Sequence, residues 1–400
     1  MRNEKPSVIV LGAGLGGLTA ALSLLQQGFD VKVFEQTREL KEVGAGLQLS
    51  ANASRVLYNL GLAKQLQAIA SEPAGKEIRL WNSGQSWKLF DLGTESVSRY
   101  GYPYYTVYRA DLHKLLVDAV VACKADAIHL ASRCVDVEQD GKRAVVRLEN
   151  GASHTADVVI AADGVHSVIR SKLIAPDTPV FSGCMAWRGV IASDRLPAHL
   201  RSAVGVNWIG PGAHIIHYPM RQDRLVNFVG IVEKTDWQVE SWTERGSSEE
   251  CAQDFAGWHA DVHTLIEALD TPFKWALMVR QPLDCWTRGN VTLLGDAAHP
   301  TLPFLAQGAA MAIEDGFVLG RCLAKYADAP EAALRAFETA RIGRTSKIVQ
   351  GSADNAKRFH NPALSGVEGA AAYVEQEWTA AKVQERYDWL FNYNVDEVAI

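Results

Sequence analysis

The stretch from Ser7 to Glu35 reads SVIVLGAGLGGLTAALSLLQQGFDVKVFE. Ser7–Leu11 is a short apolar run rich in β-branched residues, which predicts a buried strand. Gly12, Gly14 and Gly17 follow at G-x-G-x-x-G spacing. Leu15–Gln27 has the composition and length of a helix, and Val31–Phe34 resumes as a strand. The order is a βαβ unit, whose two strands must run parallel. Each glycine has its own task in such a turn. Gly12 permits the tight bend, Gly14 lets backbone approach a pyrophosphate, and Gly17 lets helix and strand pack closely. The phosphate would sit at the helix N-terminus, at Leu15. Glu35 ends the second strand, 18 residues after Gly17, where an acid takes a ribose hydroxyl. The unit predicts a bound dinucleotide and does not separate NAD from FAD.

The rest of the composition narrows the class. A chain of 400 residues, 48% of them apolar, can bury a large core and has room for two or three domains. Net charge is −6, with no like-charge block and no basic stripe interleaved with aromatics, which argues against a nucleic-acid partner. Cys123, Cys134, Cys184, Cys251, Cys285 and Cys322 are scattered, with no CxxC pair. Neither a metal site nor a disulfide framework is expected, and reduced thiols point to the cytoplasm. The apolar segment Val8–Leu25 follows Arg2 and Lys5, as a signal peptide or membrane span would. Four glycines between Gly12 and Gly17, with Thr19 and Ser23 beyond, argue instead for the turn and helix just described.

Further along, helices are expected near Asn52–Leu60 and over Asp111–Cys123. A hairpin is expected from Val135–Glu138 and Ala144–Leu148 around Asp140-Gly141, and a buried strand over Asp157–Ala162. From Gly183 the character changes. Ala186–Ile191, Val204–Ile209, His214–Met220 and Leu225–Val232 read as short strands of an antiparallel sheet. Helices near Glu249–Trp258 and Val262–Leu269 and a strand over Trp275–Gln281 follow. From Ala306 into the 350s the chain reads as helix with a break at Ala327–Ala329, and a last helix is expected over Gly369–Glu385. The organisation is a nucleotide-binding first part, an inserted β domain and a return to the first domain.

Two later motifs carry chemistry. The buried strand before Asp163-Gly164 ends in an acid and a glycine, which suits a tight turn beside a bound cofactor. The second is VTLLGDAAHPTLPFLAQGAAMAIEDG, Val291–Gly316. An apolar strand stops at Gly295-Asp296, two prolines stiffen a loop, and a helix opens with small residues. Taken in order, these three motifs resemble the class A flavoprotein aromatic hydroxylases, of the para-hydroxybenzoate hydroxylase fold. Tyr108-Arg109-Ala110-Asp111-Leu112, His214 with Tyr218-Pro219, and Tyr387-Asp388-Trp389-Leu390 are similar to one branch of that family. It holds 3-hydroxybenzoate 6-hydroxylase, salicylate hydroxylase and 6-hydroxynicotinate 3-monooxygenase.

The resemblance implies an α/β fold: a Rossmann-like FAD-binding domain, an inserted antiparallel β-sheet substrate domain and a C-terminal helical segment. The expected divisions are 1–182 and 284–355 for FAD, 183–283 for the substrate sheet and 356–400 for the helical end. Asp163 would lie beside the cofactor, and Asp296 would bind the ribityl chain. Pro300 would lie at the flavin face where oxygen reacts, and Gly308 and Ala309 would aim backbone N–H groups at the flavin pyrimidine, where reduced flavin is negative. The loop Glu42–Gln48, with Gly46 and Gln48, would pass near the flavin, and Arg109 would lie along FAD. His214 and Tyr218 share a strand face at even spacing. They would line the substrate pocket, with the imidazole accepting a phenolic proton. Pro303 and Phe304 stand where relatives carry a polar residue, so that wall should be apolar.

The implied reaction is hydroxylation of a small hydroxylated aromatic acid by O2 and NADH or NADPH through a C4a-hydroperoxyflavin. A 3-hydroxybenzoate 6-hydroxylase or salicylate hydroxylase type is the first expectation and a 6-hydroxynicotinate 3-monooxygenase type the second. An NAD-dependent dehydrogenase and a non-catalytic flavin-binding protein are the readings from other classes. The aromatic C-terminal end (Tyr387, Trp389, Phe391, Tyr393) would cover the core or a partner chain in a homodimer.

Overall fold

The computed structural model describes residues 5–40, 45–174, 178–234 and 244–400. The expected βαβ unit is there: a strand over Ser7–Leu11, a helix over Leu15–Gln26 and a strand over Asp30–Phe34. The two strands pair in parallel. They sit in a six-stranded sheet whose order is Thr287–Arg288, Val291–Leu293, Val158–Ala161, Ser7–Leu11, Asp30–Phe34, Ile128–His129. The late strand Val291–Leu293 thus returns to lie beside the strand that ends before Asp163, in parallel. Strand ends carrying Gly12, Asp163 and Asp296 open on one edge of this sheet, where open α/β sheets place ligands.

The helix Gly308–Lys325 packs along Leu15–Gln26 at backbone distance. A Cβ on Gly316 would stand 2.6 Å from the Ala20 nitrogen, so no larger residue fits that crossing. Pro330 opens the next helix, Pro330–Phe359, after the break expected near Ala327–Ala329. The C-terminal helix expected as one is two, Val367–Glu377 and Ala380–Phe391. Thr379 divides them, its side chain accepting the Lys382 N–H as an N-cap. The aromatic end covers the chain's own core, with Tyr387, Leu390 and Phe391 buried against Tyr104 and Leu89.

A second sheet has seven strands, in the order Phe273–Val279, Val180–Ala192, Leu225–Glu233, Ala213–Met220, Val204–Gly210, Gly75–Leu80, Ser86–Asp91. The last two come from well before Gly183 and were not anticipated. Gly75–Leu80 joins Val204–Gly210 in parallel, so the sheet is not purely antiparallel. One face carries Trp187, Val206, Trp208 and Phe228 and packs on the helices Ser248–Asp254 and Ala260–Glu267. The alternating residues point the other way, toward the first sheet and the Gly308–Lys325 helix. Among the described residues, no helix is long and apolar enough to cross a membrane.

Candidate active site

The glycine turn is shaped by the chain itself at two of its three positions. Gly12 has φ +102°, and a Cβ there would stand 2.4 Å from the Ala162 carbonyl oxygen. One on Gly17 would stand 2.2 Å from the Gly12 oxygen. A Cβ on Gly14 would meet nothing within 4 Å, so no protein contact requires a glycine there. Gly14 opens instead on two cavities at once.

The first cavity, of about 310 Å³, is walled by Gly12, Glu35, Asp163 and Arg133, among others. Glu35 accepts the Ala13 N–H (2.8 Å) and the Thr37 N–H (2.9 Å), which clamps the turn and leaves lone pairs over. Asp163 accepts the Val168 N–H through Oδ2 at 2.9 Å. Its Oδ1 is buried with no partner among the described residues, and burial raises its pKa. A buried orphan acceptor beside a cleft calls for a ligand donor or an ordered water.

The second cavity, of about 390 Å³, continues from the first past Gly14, Leu15 and Gly17. One wall is the late loop and helix: Asp296, Pro300, Gly308 and Ala309 all face it. Asp296 is exposed and lines this cavity; the dense protein around it raises its pKa, against the pull of His299 and Arg109. The helix has no side-chain cap, so its first-turn N–H groups are available at the positive end of the dipole. Behind it lies a buried ionic network. Arg341 bonds Glu314 and Asp315, both at 2.7 Å, and Asp315 bonds His299 at 2.6 Å. Glu314 also accepts from Asn52 at 2.6 Å and Arg344 at 2.8 Å. The partners hold both carboxyls below their ordinary pKa despite complete burial. The network fixes the loop carrying Asp296 and Pro300 against the helix start.

Gly46, Gln48 and Arg109 form a side of the same cavity. The Gly46 N–H donates to Asn227 at 2.7 Å, and its missing Cβ would lie 2.7 Å from the Tyr218 ring. Gln48 accepts from the Tyr104 hydroxyl at 2.7 Å. Glu42, Val43 and Gly44 of that loop lie outside the described residues. The Asp163, Gly14, Asp296 and helix-terminus features thus form one continuous cleft, and on these grounds the residues fit an extended dinucleotide with a ring system at the second cavity.

The floor of the second cavity is the free face of the seven-stranded sheet. His214, Ile216 and Tyr218 alternate onto it as expected, with Asn207 from the neighbouring strand. Phe304 and Phe359 pack on the His214 ring at centroid distances of 5.3 and 5.0 Å, which makes that wall apolar. Burial pushes the Tyr218 phenol far up, so it stays a neutral hydroxyl. His214 is buried, its pKa driven well down by desolvation and then by His360.

No local motif points to what lies behind His214. Its Nδ1 is 2.7 Å from His360 Nε2, and His360 Nδ1 is 3.0 Å from Glu233 Oε1. The His360 side chain is 1% exposed and that of Glu233 58%. These contacts fix the tautomers. Glu233 as a carboxylate can only accept, so His360 donates through Nδ1. A neutral His360 then has a bare Nε2, which accepts from His214 Nδ1–H. His214 is left with Nε2 as a lone-pair acceptor, and no partner for that nitrogen exists among the described residues. A chain of hydrogen bonds therefore joins the cavity floor to the surface.

Lys76, Arg188 and Trp275 also face the cavity and were not singled out. Lys76 stands in phase with Ile78 and Leu80, both fully buried, on a strand whose charged residues mask its alternation in the sequence.

A family model described as FAD binding domain matches residues 5–352. The 3-amino-4-hydroxybenzoate 2-monooxygenase of Streptomyces platensis is 36% identical, over 99% of this chain and 98% of its own. The 6-hydroxynicotinate 3-monooxygenase of Pseudomonas fluorescens is 38% identical over 88% and 92%. The 3-hydroxybenzoate 6-hydroxylase of Polaromonas naphthalenivorans is 33% identical over 97% and 96%. Among solved structures, HpxO of Klebsiella pneumoniae with FAD and uric acid has TM-score 0.82 at 26% identity. A salicylate hydroxylase substrate complex has TM-score 0.81, also at 26%. Each covers 98% of this chain and 97% of its own.

Proposed function

Because this chain belongs to the FAD binding domain family and is a flavoprotein monooxygenase of the aromatic-hydroxylase branch, we propose that it hydroxylates a small ring bearing one hydroxyl and one carboxylate. NADH or NADPH would be the electron donor and O2 the oxygen source. The relatives are named for aminohydroxybenzoate, hydroxynicotinate and hydroxybenzoate, and a hydroxylated ring acid is what those names share. The observation that carries the reading for this chain is the bare His214 Nε2 on the cavity floor, backed by His360 and Glu233.

FAD, when bound, supplies the redox chemistry that passes electrons from NADH or NADPH to O2. Gly14, Asp163, Asp296 and the N–H groups of Gly308 and Ala309 would hold it; Glu35 and Arg109 would complete its contacts, and Pro300 would lie against its ring. The chain's other residues prepare the ring. His214 takes the substrate's hydroxyl proton at Nε2, which raises electron density at the carbons ortho and para to that oxygen. Its Nδ1 proton passes to His360 Nε2, and the His360 Nδ1 proton to Glu233 and solvent. Both imidazoles then end neutral, and the one charge left in the site is the negative charge on the substrate oxygen, which is what activates the ring. The Tyr218 hydroxyl donates to the substrate, and Phe304, Phe359 and Ile216 exclude water and hold the ring.

The experiment is NADH or NADPH oxidation with O2 uptake and product analysis, on flavin-loaded enzyme. The acids are 3-hydroxybenzoate, salicylate, 3-amino-4-hydroxybenzoate and 6-hydroxynicotinate. At least one is expected to stimulate oxidation and to emerge hydroxylated. Stimulation only by rings without a carboxylate would reject the substrate class.

A further inference from the structure

The cavity floor carries a lysine that nothing described so far uses. Lys76 lies on Gly75–Leu80, level with Gly205 of the adjacent strand. A Cβ on Gly205 would stand 3.6 Å from Lys76 Cγ and 3.8 Å from Tyr218 Cβ, so the lysine stem and Tyr218 flank a gap that glycine keeps open. The ammonium stands 5.0 Å from the Tyr104 ring centre and 5.7 Å from that of Phe90. Among the described residues no carboxylate pairs with it. Aromatic faces soften the cost of a cation there, but they do not neutralise it. Burial alone brings its pKa down to about 7.

Two other cations line the cavity, and both have charged neighbours. Arg109 acts on Asp296, and Arg188 lies close enough to Arg109 for their charges to repel. Arg188 sits on Val180–Ala192, four strands across the sheet from Gly75–Leu80. His214, on Ala213–Met220, lies midway, two strands from each. On the other side, beside Tyr218, Lys76 is the cation on which no charged group acts.

We infer that Lys76 is the carboxylate-binding residue of the substrate pocket, so that the ring is held with its acid at Lys76 and Tyr218 and its hydroxyl at His214. This rests on the substrate class proposed above. The anion would complete a charge the protein leaves unpaired, and an uncharged analogue would lose that bond while keeping its ring contacts.

The test is titration of the flavin absorbance of FAD-loaded protein with two matched pairs: 3-hydroxybenzoate with 3-hydroxybenzamide, and 6-hydroxynicotinate with 6-hydroxynicotinamide. Wild type should prefer the acid of at least one pair. Lys76→Met should weaken that acid by about tenfold to a hundredfold, with amide affinity unchanged, and Lys76→Arg should recover much of the loss. Lys76→Gln replaces the Met variant if that one fails to retain flavin. If a flavin-loaded variant binds the acid as tightly as wild type, or loses acid and amide equally, the role of Lys76 is overturned and the substrate class stands. If wild type prefers neither acid, the substrate class itself falls and the role of Lys76 with it.

Discussion

His214 Nδ1 and His360 Nε2 lie 2.7 Å apart in a buried hydrogen bond. The bond joins a strand of the seven-stranded sheet to the residue that ends the long helix Pro330–Phe359. It orients a neutral, desolvated imidazole, because it decides which nitrogen faces outward without a proton.

His360→Phe should therefore keep flavin and substrate binding while slowing hydroxylation, by about tenfold to a hundredfold, within the general range for acid–base assistance. His360→Gln, whose carbonyl can still accept from His214, should fall less. Single-turnover product formation at several pH values checks this. Equal rates in both variants and wild type would remove the relay.

The buried histidines also set the acid limit of stability. Burial, aided by His360, drives His214 well below 6.5, and burial brings His217 to about 3. The unfolded chain binds these protons once pH falls below about 6.5, while the folded one does not. Stability is thus at its full value above that pH and declines as pH falls toward the folded pKa values, by up to about 1.4 kcal/mol per pH unit for each histidine. Denaturant unfolding between pH 7.5 and 4.5 should show the decline, and His217→Phe should make it shallower.

The glycine turn offers a paired test. Gly12→Ala meets the Ala162 carbonyl and a left-handed φ, so it should lower the melting temperature of flavin-free protein. Gly14→Ala meets no protein atom. It should leave the flavin-free melting temperature unchanged and weaken FAD retention, measured by the bound absorbance after gel filtration. Full retention in Gly14→Ala would place the pyrophosphate elsewhere.

Arg341 is completely buried between Glu314 and Asp315, which are equally buried. Arg341→Met leaves uncompensated carboxylates and should cost about 3–5 kcal/mol. Scanning calorimetry of the loaded protein checks this, and a loss below 1 kcal/mol would mean that water or a proton replaces the arginine.

Much of this architecture was readable from the chain because its signals are local. The spacing of Gly12, Gly14 and Gly17, Glu35 at the next strand end, and Asp296 before two prolines each encode a turn in adjacent residues. The even spacing of His214 and Tyr218 placed both on one face. What stayed hidden depends on contacts between distant segments. Gly75–Leu80 carries Lys76, Glu77 and Arg79, which obscure its alternation, and its partner strand begins more than a hundred residues later. His360 has no motif around it, and its position comes from where a thirty-residue helix happens to stop. The split at Thr379 is the exception, since a threonine before a helical run is a local cap signal.

The most direct test of the whole account is the yield of hydroxylated product per NADH consumed, for wild type and His214→Gln, with whichever acid stimulates oxidation most. The predicted result is a high yield in wild type and, in the variant, continued NADH oxidation with hydrogen peroxide in place of product. An undiminished yield in a variant that keeps its flavin would contradict the assignment of His214 as the base.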